Sequence, residues 1–124
     1  MKTMRYWFQI RLMTNQARGY FVNVGVGIYD DASGRVIMRL APDAPPEAHS
    51  FVTRVTRTVG IALLDELEYM GGRRDGAYES ALDALQRILG AHPGSSIQPG
   101  PLLGMTTREP IEKLLEDTYR EQVE

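Results

Sequence analysis

The chain of 124 residues is long enough for one domain, predicted to span 1–124, and too short for two ordinary ones. Its net charge of −2 argues against a generally basic, phosphate-binding protein. The absence of cysteine excludes disulfides, thiol catalysis and Cys-ligated zinc. A charged start without a signal peptide, and the lack of any apolar run of membrane-spanning length, predict a cytoplasmic protein that does not enter a membrane.

Charge is unevenly divided along the chain. Residues 1–46 contain six Lys and Arg residues against three acidic ones, which gives a net charge of +3. Residues 47–124 contain eight against thirteen, which gives −5. The first part is therefore basic and the second acidic, and a local basic patch is compatible with the overall acidity.

A two-residue alternation predicts three strands before residue 41, because that period is typical of half-buried strands. In residues 4–13 the predicted faces are Tyr6, Phe8, Ile10 and Leu12 against Arg5, Trp7, Gln9 and Arg11. In residues 20–29 they are Tyr20, Val22, Val24, Val26 and Ile28 against Phe21, Asn23, Gly25, Gly27 and Tyr29. In residues 35–40 they are Val36, Met38 and Leu40 against Arg35, Ile37 and Arg39. We expect an antiparallel meander, with Gly34 supplying a positive φ in the second turn.

Three helices are predicted after the meander. The first begins near Pro46 and runs to Met70; its residues 51–59 are rich in β-branched side chains, so they also fit a strand. The second carries an apolar stripe from Tyr78 to Leu89, with Asp75 as a plausible N-cap. The third follows Thr106 and Glu109, which have capping-box spacing, and ends near Val123. Residues 91–105 are rich in Gly and Pro and predict an irregular connection with a short edge strand at Ile97 or at Leu102 and Leu103.

This order of elements predicts an α+β fold. We expect a three- to four-stranded, mostly antiparallel sheet whose first strands form the meander, with about three helices packed on one face.

The strand sequences resemble those of a bacterial and phage domain-of-unknown-function family (DUF3037-like). The resemblance is most specific in the pattern Arg-Gly-x-x-Val-Asn-x-Gly-Val, which here runs from Arg18 to Val26, and it covers nearly the whole chain. Thr14-Asn15-Gln16 departs from it, because family members usually have Pro-Asp in that loop. The resemblance implies no established activity. Family members are sometimes encoded beside HipA-like kinases, which suggests an accessory or partner role, in the host cytoplasm if the protein is phage-encoded.

The second face of the predicted sheet is the main candidate for binding. Arginines mixed with aromatic rings suit a protein interface, where Trp, Tyr and Arg contribute most of the binding energy. They also suit stacked bases and phosphates of single-stranded nucleic acid. A solvated or homodimeric face is the third interpretation. The candidate partner-binding residues are Arg5, Trp7, Arg11, Arg18, Asn23, Tyr29, Arg35 and Arg39.

Two details of that face have structural alternatives. Gly19 and Asn23 fit a tight turn and a side-chain bond to the loop backbone as well as an anion site with Arg18. Gly25 and Gly27 lack the third glycine and the helix of a dinucleotide fingerprint, and we expect Trp7 to cover them.

No pattern in the sequence predicts catalysis, a metal or a cofactor. His49 and His92 lack a third ligand at recognisable spacing. A run of acidic residues at Asp65, Glu66 and Glu68 is typical of a solvent-exposed helix face. No serine lies in the sequence context of a nucleophile elbow. The sequence therefore favours a non-enzymatic interaction module whose partner is a protein: a HipA-like kinase, another protein or a second copy. Nucleic-acid binding is the alternative, and an enzyme of unknown class the second alternative.

Overall fold

The computed structural model describes residues 3–15, 17–70, 80–91 and 95–124. Within these ranges the chain forms an α+β fold with an N-terminal antiparallel meander, as predicted. None of the helices in the described part combines the length and the apolar character that crossing a membrane requires. The elements in order are β1 (Thr3–Asn15), β2 (Tyr20–Asp30), β3 (Arg35–Leu40), α1 (Pro46–Met70), α2 (Ala81–Leu89), β4 (Ile97–Pro99), β5 (Leu103–Thr107) and α3 (Ile111–Gln122).

The sheet is organised around β1, which pairs with all strands but β3. The order is β3-β2-β1-β4, and β5 pairs with the same edge of β1 as β4 does. β5 pairs with Thr3–Trp7 and β4 with Ile10–Leu12, so the two short strands occupy successive parts of that edge. The predicted connection after α2 therefore contains two strands, and the sheet has five.

A β-bulge in β2 makes the predicted faces of that strand wrong. Ile10 pairs with Gly25 while Arg11 pairs with Asn23, so Val24 has no partner on β1. An extra residue of this kind reverses the alternation of side chains beyond it. Val24 consequently joins the same core cluster as Tyr29, whereas Ile28 belongs to a cluster on the opposite face.

The glycines of β2 do not face Trp7, and Gly27 lies under a phenylalanine ring instead. Phe8 pairs directly with Gly27, and a Cβ placed on Gly27 would lie 2.2 Å from Cζ of Phe8. Phe8 is completely buried. The prediction that Trp7 covers the glycines is wrong because the bulge turns them to the other face, where Gly27 makes room for the ring of Phe8 and Gly25 lies against Leu40 and Ile10.

Helices α1 and α2 cover the face of the sheet that carries Phe8. The fully buried side chains Phe51, Val55 and Val59 recur every four residues along α1 and join the cluster of Phe8 and Ile10. This stripe explains why residues 51–59 form a helix in spite of their β-branched composition, since packing of an amphipathic face outweighs intrinsic propensity. The predicted start at Pro46 is confirmed.

Helix α3 packs on the opposite face, so the prediction that all helices share one face is wrong. Ile111 and Leu114 of α3 form a second cluster with Ile28 of β2. Trp7 and Ile37, which flank Ile28 on the neighbouring strands, pack against this cluster. The sheet is therefore covered by helices on both sides.

The helix starts differ from the predicted caps. Ser80 is the N-cap of α2, and its side chain accepts a hydrogen bond from the N–H of Asp83 at 3.0 Å. Asp75, the predicted cap, lies outside the described residues, as do Tyr78 and His92. The capping box at Thr106 is wrong, because Thr106 belongs to β5 and Pro110 occupies the N-cap position of α3.

Candidate interaction surface

The arginines of β3 lie over the acidic side of α3. Nη1 of Arg39 is 3.2 Å from Oε1 of Glu116, and its guanidinium lies 4.1 Å from the ring centre of Tyr119. Nη1 of Arg35 is 3.8 Å from Oε1 of Glu112. These pairs are largely exposed, and ion pairs of this kind contribute about 0–1 kcal/mol each. Two of the predicted partner-binding residues, Arg35 and Arg39, therefore make their contacts within the chain.

Arg5 also makes contacts within the chain, and its side chain is less exposed than those of Arg35 and Arg39. Its Nε is 3.3 Å from Oδ1 of Asp30, and the two side chains are 11% and 13% exposed. Nη1 of Arg5 donates a hydrogen bond to the backbone oxygen of Glu109, just before α3. Burial by itself raises the pKa of Asp30, but hydrogen bonds from Ser33 and Arg5, and the charge of Arg5, outweigh it and lower the pKa below its usual value of 3.8.

The Arg5–Asp30 pair should make stability depend on pH. Because the pKa of Asp30 is lower in the folded chain, its carboxylate stabilises the fold above pH 3.8, and this contribution is lost as the pH falls through the folded value. Asp30→Asn should therefore lower the free energy of unfolding by about 1–3 kcal/mol at pH 7, and by progressively less in acid. Urea denaturation of both proteins between pH 7 and pH 3 measures the difference. A difference that stays constant across this range would contradict the assignment.

The end of α3 contacts the middle of the predicted binding face. Nδ2 of Asn23 donates a hydrogen bond to the backbone oxygen of Gln122 at 3.0 Å, and Nε2 of Gln9 donates one to Oε1 of Gln122 at 2.7 Å. Oδ1 of Asn23 is buried and has no hydrogen-bond partner within the described structure. Asn23 therefore bonds α3 and not the loop that the sequence indicated.

The predicted binding face is consequently not an open surface. α3 covers Trp7 and contacts Asn23, Arg35 and Arg39, and Arg5 is bonded to Glu109 just before this helix. Tyr29 is only 3% exposed and lies in the core on the other face, where its ring centre is 6.3 Å from that of Tyr6. Of the eight candidate partner-binding residues, Arg11 and Arg18 are left, and both belong to the β1–β2 hairpin beyond α3.

The end of this hairpin exposes consecutive apolar side chains. Tyr20, Phe21 and Val22 are 57%, 41% and 48% exposed. Gly19, just before them, has a φ of +71°, so it makes the tight turn that its sequence context predicts. The backbone N–H of Arg18 is bonded to Oδ1 of Asn15 at 3.2 Å, whereas the guanidinium of Arg18 makes no ion pair or hydrogen bond within the described residues.

Arg11 lies against Phe21. Its guanidinium carbon is 4.3 Å from the ring centre of Phe21, a cation–π distance, and its Nε donates a hydrogen bond to Oε1 of Gln9 at 2.8 Å. A Cβ on Gly100 would lie 3.2 Å from the guanidinium, so Gly100 leaves the space that Arg11 fills. These residues border an open cleft of about 470 Å³, which is lined by Arg11, Met13, Gly19, Phe21, Gln98 and Pro99.

We call the group formed by Arg11, Met13, Arg18, Tyr20, Phe21 and Val22 the hairpin-end surface. It offers aromatic rings, an aliphatic side chain and two guanidinium groups, but no carboxylate, imidazole or thiol. Sequence reasoning named Arg11 and Arg18 but assigned Tyr20 and Val22 to the core. The sequence signal that could have found them is strand length, since the predicted strand 20–29 is longer than the predicted strand 35–40 that could cover its edge.

Another open cleft, of about 460 Å³, runs along the polar side of α1. Its described lining residues are His49, Ser50, Thr53, Arg54 and Arg57, which all come from this one helix. The described residues contain no group of three or more His, Asp or Glu side chains that could hold a metal ion. We interpret the α1 cleft as part of a solvated helix face.

Comparisons with protein-family models, with curated proteins and with solved structures gave no match.

Proposed function

We propose that this chain is a non-enzymatic interaction module that binds a protein partner through the hairpin-end surface. The observation that carries the proposal is the exposure of three consecutive apolar side chains, Tyr20, Phe21 and Val22, none of which belongs to either core cluster between the sheet and the helices. Adjacent exposed apolar side chains with charged neighbours are typical of interaction sites. Aromatic and Arg side chains are also the residues that most often dominate binding energy at such sites.

A role inside the chain does not account for these side chains. The ring of Phe21 contacts the guanidinium of Arg11, but it remains 41% exposed. Tyr20 is the most exposed of the three, and neither it nor Val22 belongs to either of the buried clusters. Burying an aromatic side chain that is left in water contributes favourable free energy, so a partner that covers this surface gains affinity from it.

The resemblance to the bacterial and phage family suggests which partner to test first. A HipA-like kinase is the candidate partner that this resemblance supplies, and the proposed setting is an accessory role in the cytoplasm of a bacterium. A second copy of the chain is the other candidate, and it is tested by the oligomeric state of the purified protein.

The proposal is tested by comparing two variants with the unchanged protein. Tyr20→Ser with Phe21→Ser removes both rings from the hairpin-end surface, and Arg54→Ser with Arg57→Ser is the matched control on the exposed side of α1. Tagged proteins are purified from the native host after cross-linking, and each recovered protein is quantified by mass spectrometry. We expect a partner that the control retains and the Tyr20–Phe21 variant loses by at least tenfold.

Two outcomes would contradict this function. Recovery of the same proteins by all three chains would remove the hairpin-end surface from any role in partner binding. Salt-dependent binding of single-stranded oligonucleotides, lost in the Tyr20–Phe21 variant, would instead indicate that the rings stack on bases. The melting temperatures of the three proteins are compared first, so that loss of binding is not confused with loss of the fold.

A further inference from the structure

The hairpin-end surface includes a strand edge that no other strand of the described residues covers. β3 pairs with β2 only over Gly25–Asp30. The N–H of Ala41 still reaches the backbone oxygen of Val24 at 2.7 Å, but Pro42 follows, and the chain leaves the sheet toward α1. Residues 20–23 of β2 therefore have β1 on one side and, within the described structure, no strand on the other.

Backbone groups along such an edge select an extended partner. A peptide that aligns with a free edge gains main-chain hydrogen bonds, and its alternate side chains point to the two faces of the sheet. Four residues are available before β3 begins to occupy the same edge. These four residues limit the backbone pairing of any added strand. A twofold pairing with a second copy would bring two hairpin ends that carry Arg11 and Arg18 together, and this juxtaposition of like charges favours a strand from another protein.

The side chains around the edge indicate the composition of that strand. Val22 pairs with Leu12 and presents an apolar side chain on one face of the hairpin. On the other face Phe21 lies under Arg11. Neither the guanidinium of Arg11 nor that of Arg18 contacts a carboxylate within the described residues. A segment that alternates apolar with acidic residues would place its apolar side chains beside Val22 and its carboxylates near the two arginines.

We propose that the partner binds as an added β-strand along residues 20–23, and that this strand alternates apolar and acidic residues. This inference rests on the proposed function, because it names the kind of segment that the hairpin-end surface takes. It adds that the backbone of β2 takes part in binding, whereas the proposed function requires only the side chains of Tyr20 and Phe21.

A tethered strand tests the inference without knowledge of the partner. Gln122 at the end of α3 contacts Asn23, so the chain ends close to the free edge. An eight-residue Gly/Ser linker after Glu124 spans roughly 16 Å and gives an effective concentration on the order of millimolar. The segment Glu-Val-Glu-Ile-Glu-Val-Glu is placed after the linker, and amide hydrogen exchange is measured by NMR in the full chain.

We expect the amides among residues 20–23 that point away from β1 to exchange at least tenfold more slowly than in a chain carrying the Gly/Ser linker alone. Amides of residues 25–30, which are already between two strands, should not change and serve as the control for the fold. A matched tail with Lys in place of every Glu should slow exchange by less than threefold.

Unchanged exchange at residues 20–23 would overturn the added strand, and equal slowing by the Lys tail would overturn the acidic composition. Either result leaves the proposed function standing if the Tyr20–Phe21 variant still loses its partner in the cross-linking experiment. If that variant keeps every partner, the proposed function fails whatever the tethered tail does.

Discussion

Phe8→Ala should lower the free energy of unfolding by about 3–5 kcal/mol, because it leaves a cavity between the sheet and α1. Phe8 is completely buried and belongs to the larger core cluster with Phe51 and Val55. Urea denaturation followed by circular dichroism measures the effect. Phe21→Ala is the matched control on the same hairpin, and we expect it to cost less than 1 kcal/mol since Phe21 is 41% exposed.

Gly27→Ala extends this prediction to the backbone under the ring. The new Cβ would lie 2.2 Å from Cζ of Phe8, and a ring that is fully buried cannot move aside without disturbing its neighbours. We expect a loss of about 1–3 kcal/mol, which is the usual range for overpacking. The double variant Phe8→Ala with Gly27→Ala should be more stable than the sum of the two losses predicts, because the Cβ then enters the space that the ring has left. Additive losses would mean that Phe8 and Gly27 are not in contact.

Leu114→Asp should detach α3 from the sheet or unfold the chain, with a loss of about 3 kcal/mol or more. Leu114 is 8% exposed and contributes to the cluster that α3 forms with Ile28, so the new carboxylate would be buried without a partner. Trp7 packs against the same cluster and is the only tryptophan in the chain. Its fluorescence emission should therefore shift to longer wavelength even in conditions where the rest of the fold survives.

Glu116→Gln is the control for this second prediction, because it changes the exposed side of the same helix. It removes the ion pair with Arg39 and should change the free energy of unfolding by no more than about 1 kcal/mol. Tryptophan emission should stay as in the unchanged protein. If Glu116→Gln shifts the emission as much as Leu114→Asp does, α3 is held on the sheet mainly by its ion pairs and not by the apolar cluster.

The arrangement of α3 explains the uneven charge of the sequence. The basic residues Arg35 and Arg39 belong to the N-terminal part, and the acidic residues Glu112 and Glu116 with which they pair belong to the C-terminal part. The arginine-rich sheet face thus meets an acidic, amphipathic helix, which is the type of ligand that we expect such a face to bind. In this protein that helix is part of the same chain, which is why we propose the hairpin-end surface, and not this face, as the site for a partner.

Elements that depend on a local pattern could be predicted from the amino-acid sequence. Alternation in β1 and β3, the positive φ at Gly34, the start of α1 at Pro46 and the α+β order all follow from side-chain period and turn chemistry over a few residues. Which face of the sheet each helix covers depends on long-range packing and could not be predicted in this way. An amphipathic helix such as α3 fits either side of a sheet that has apolar residues on both.

The bulge at Val24 could not be predicted from the sequence either, because it depends on how β1 and β2 pair and not on the composition of either strand. That single extra residue moved Tyr29 into the core, and the unequal lengths of β2 and β3 left Tyr20, Phe21 and Val22 in solvent. The candidate site therefore lies where β2 extends beyond β3 and where the bulge shifts the register between β1 and β2. Both features belong to pairs of strands, so the pattern within one strand does not reveal them.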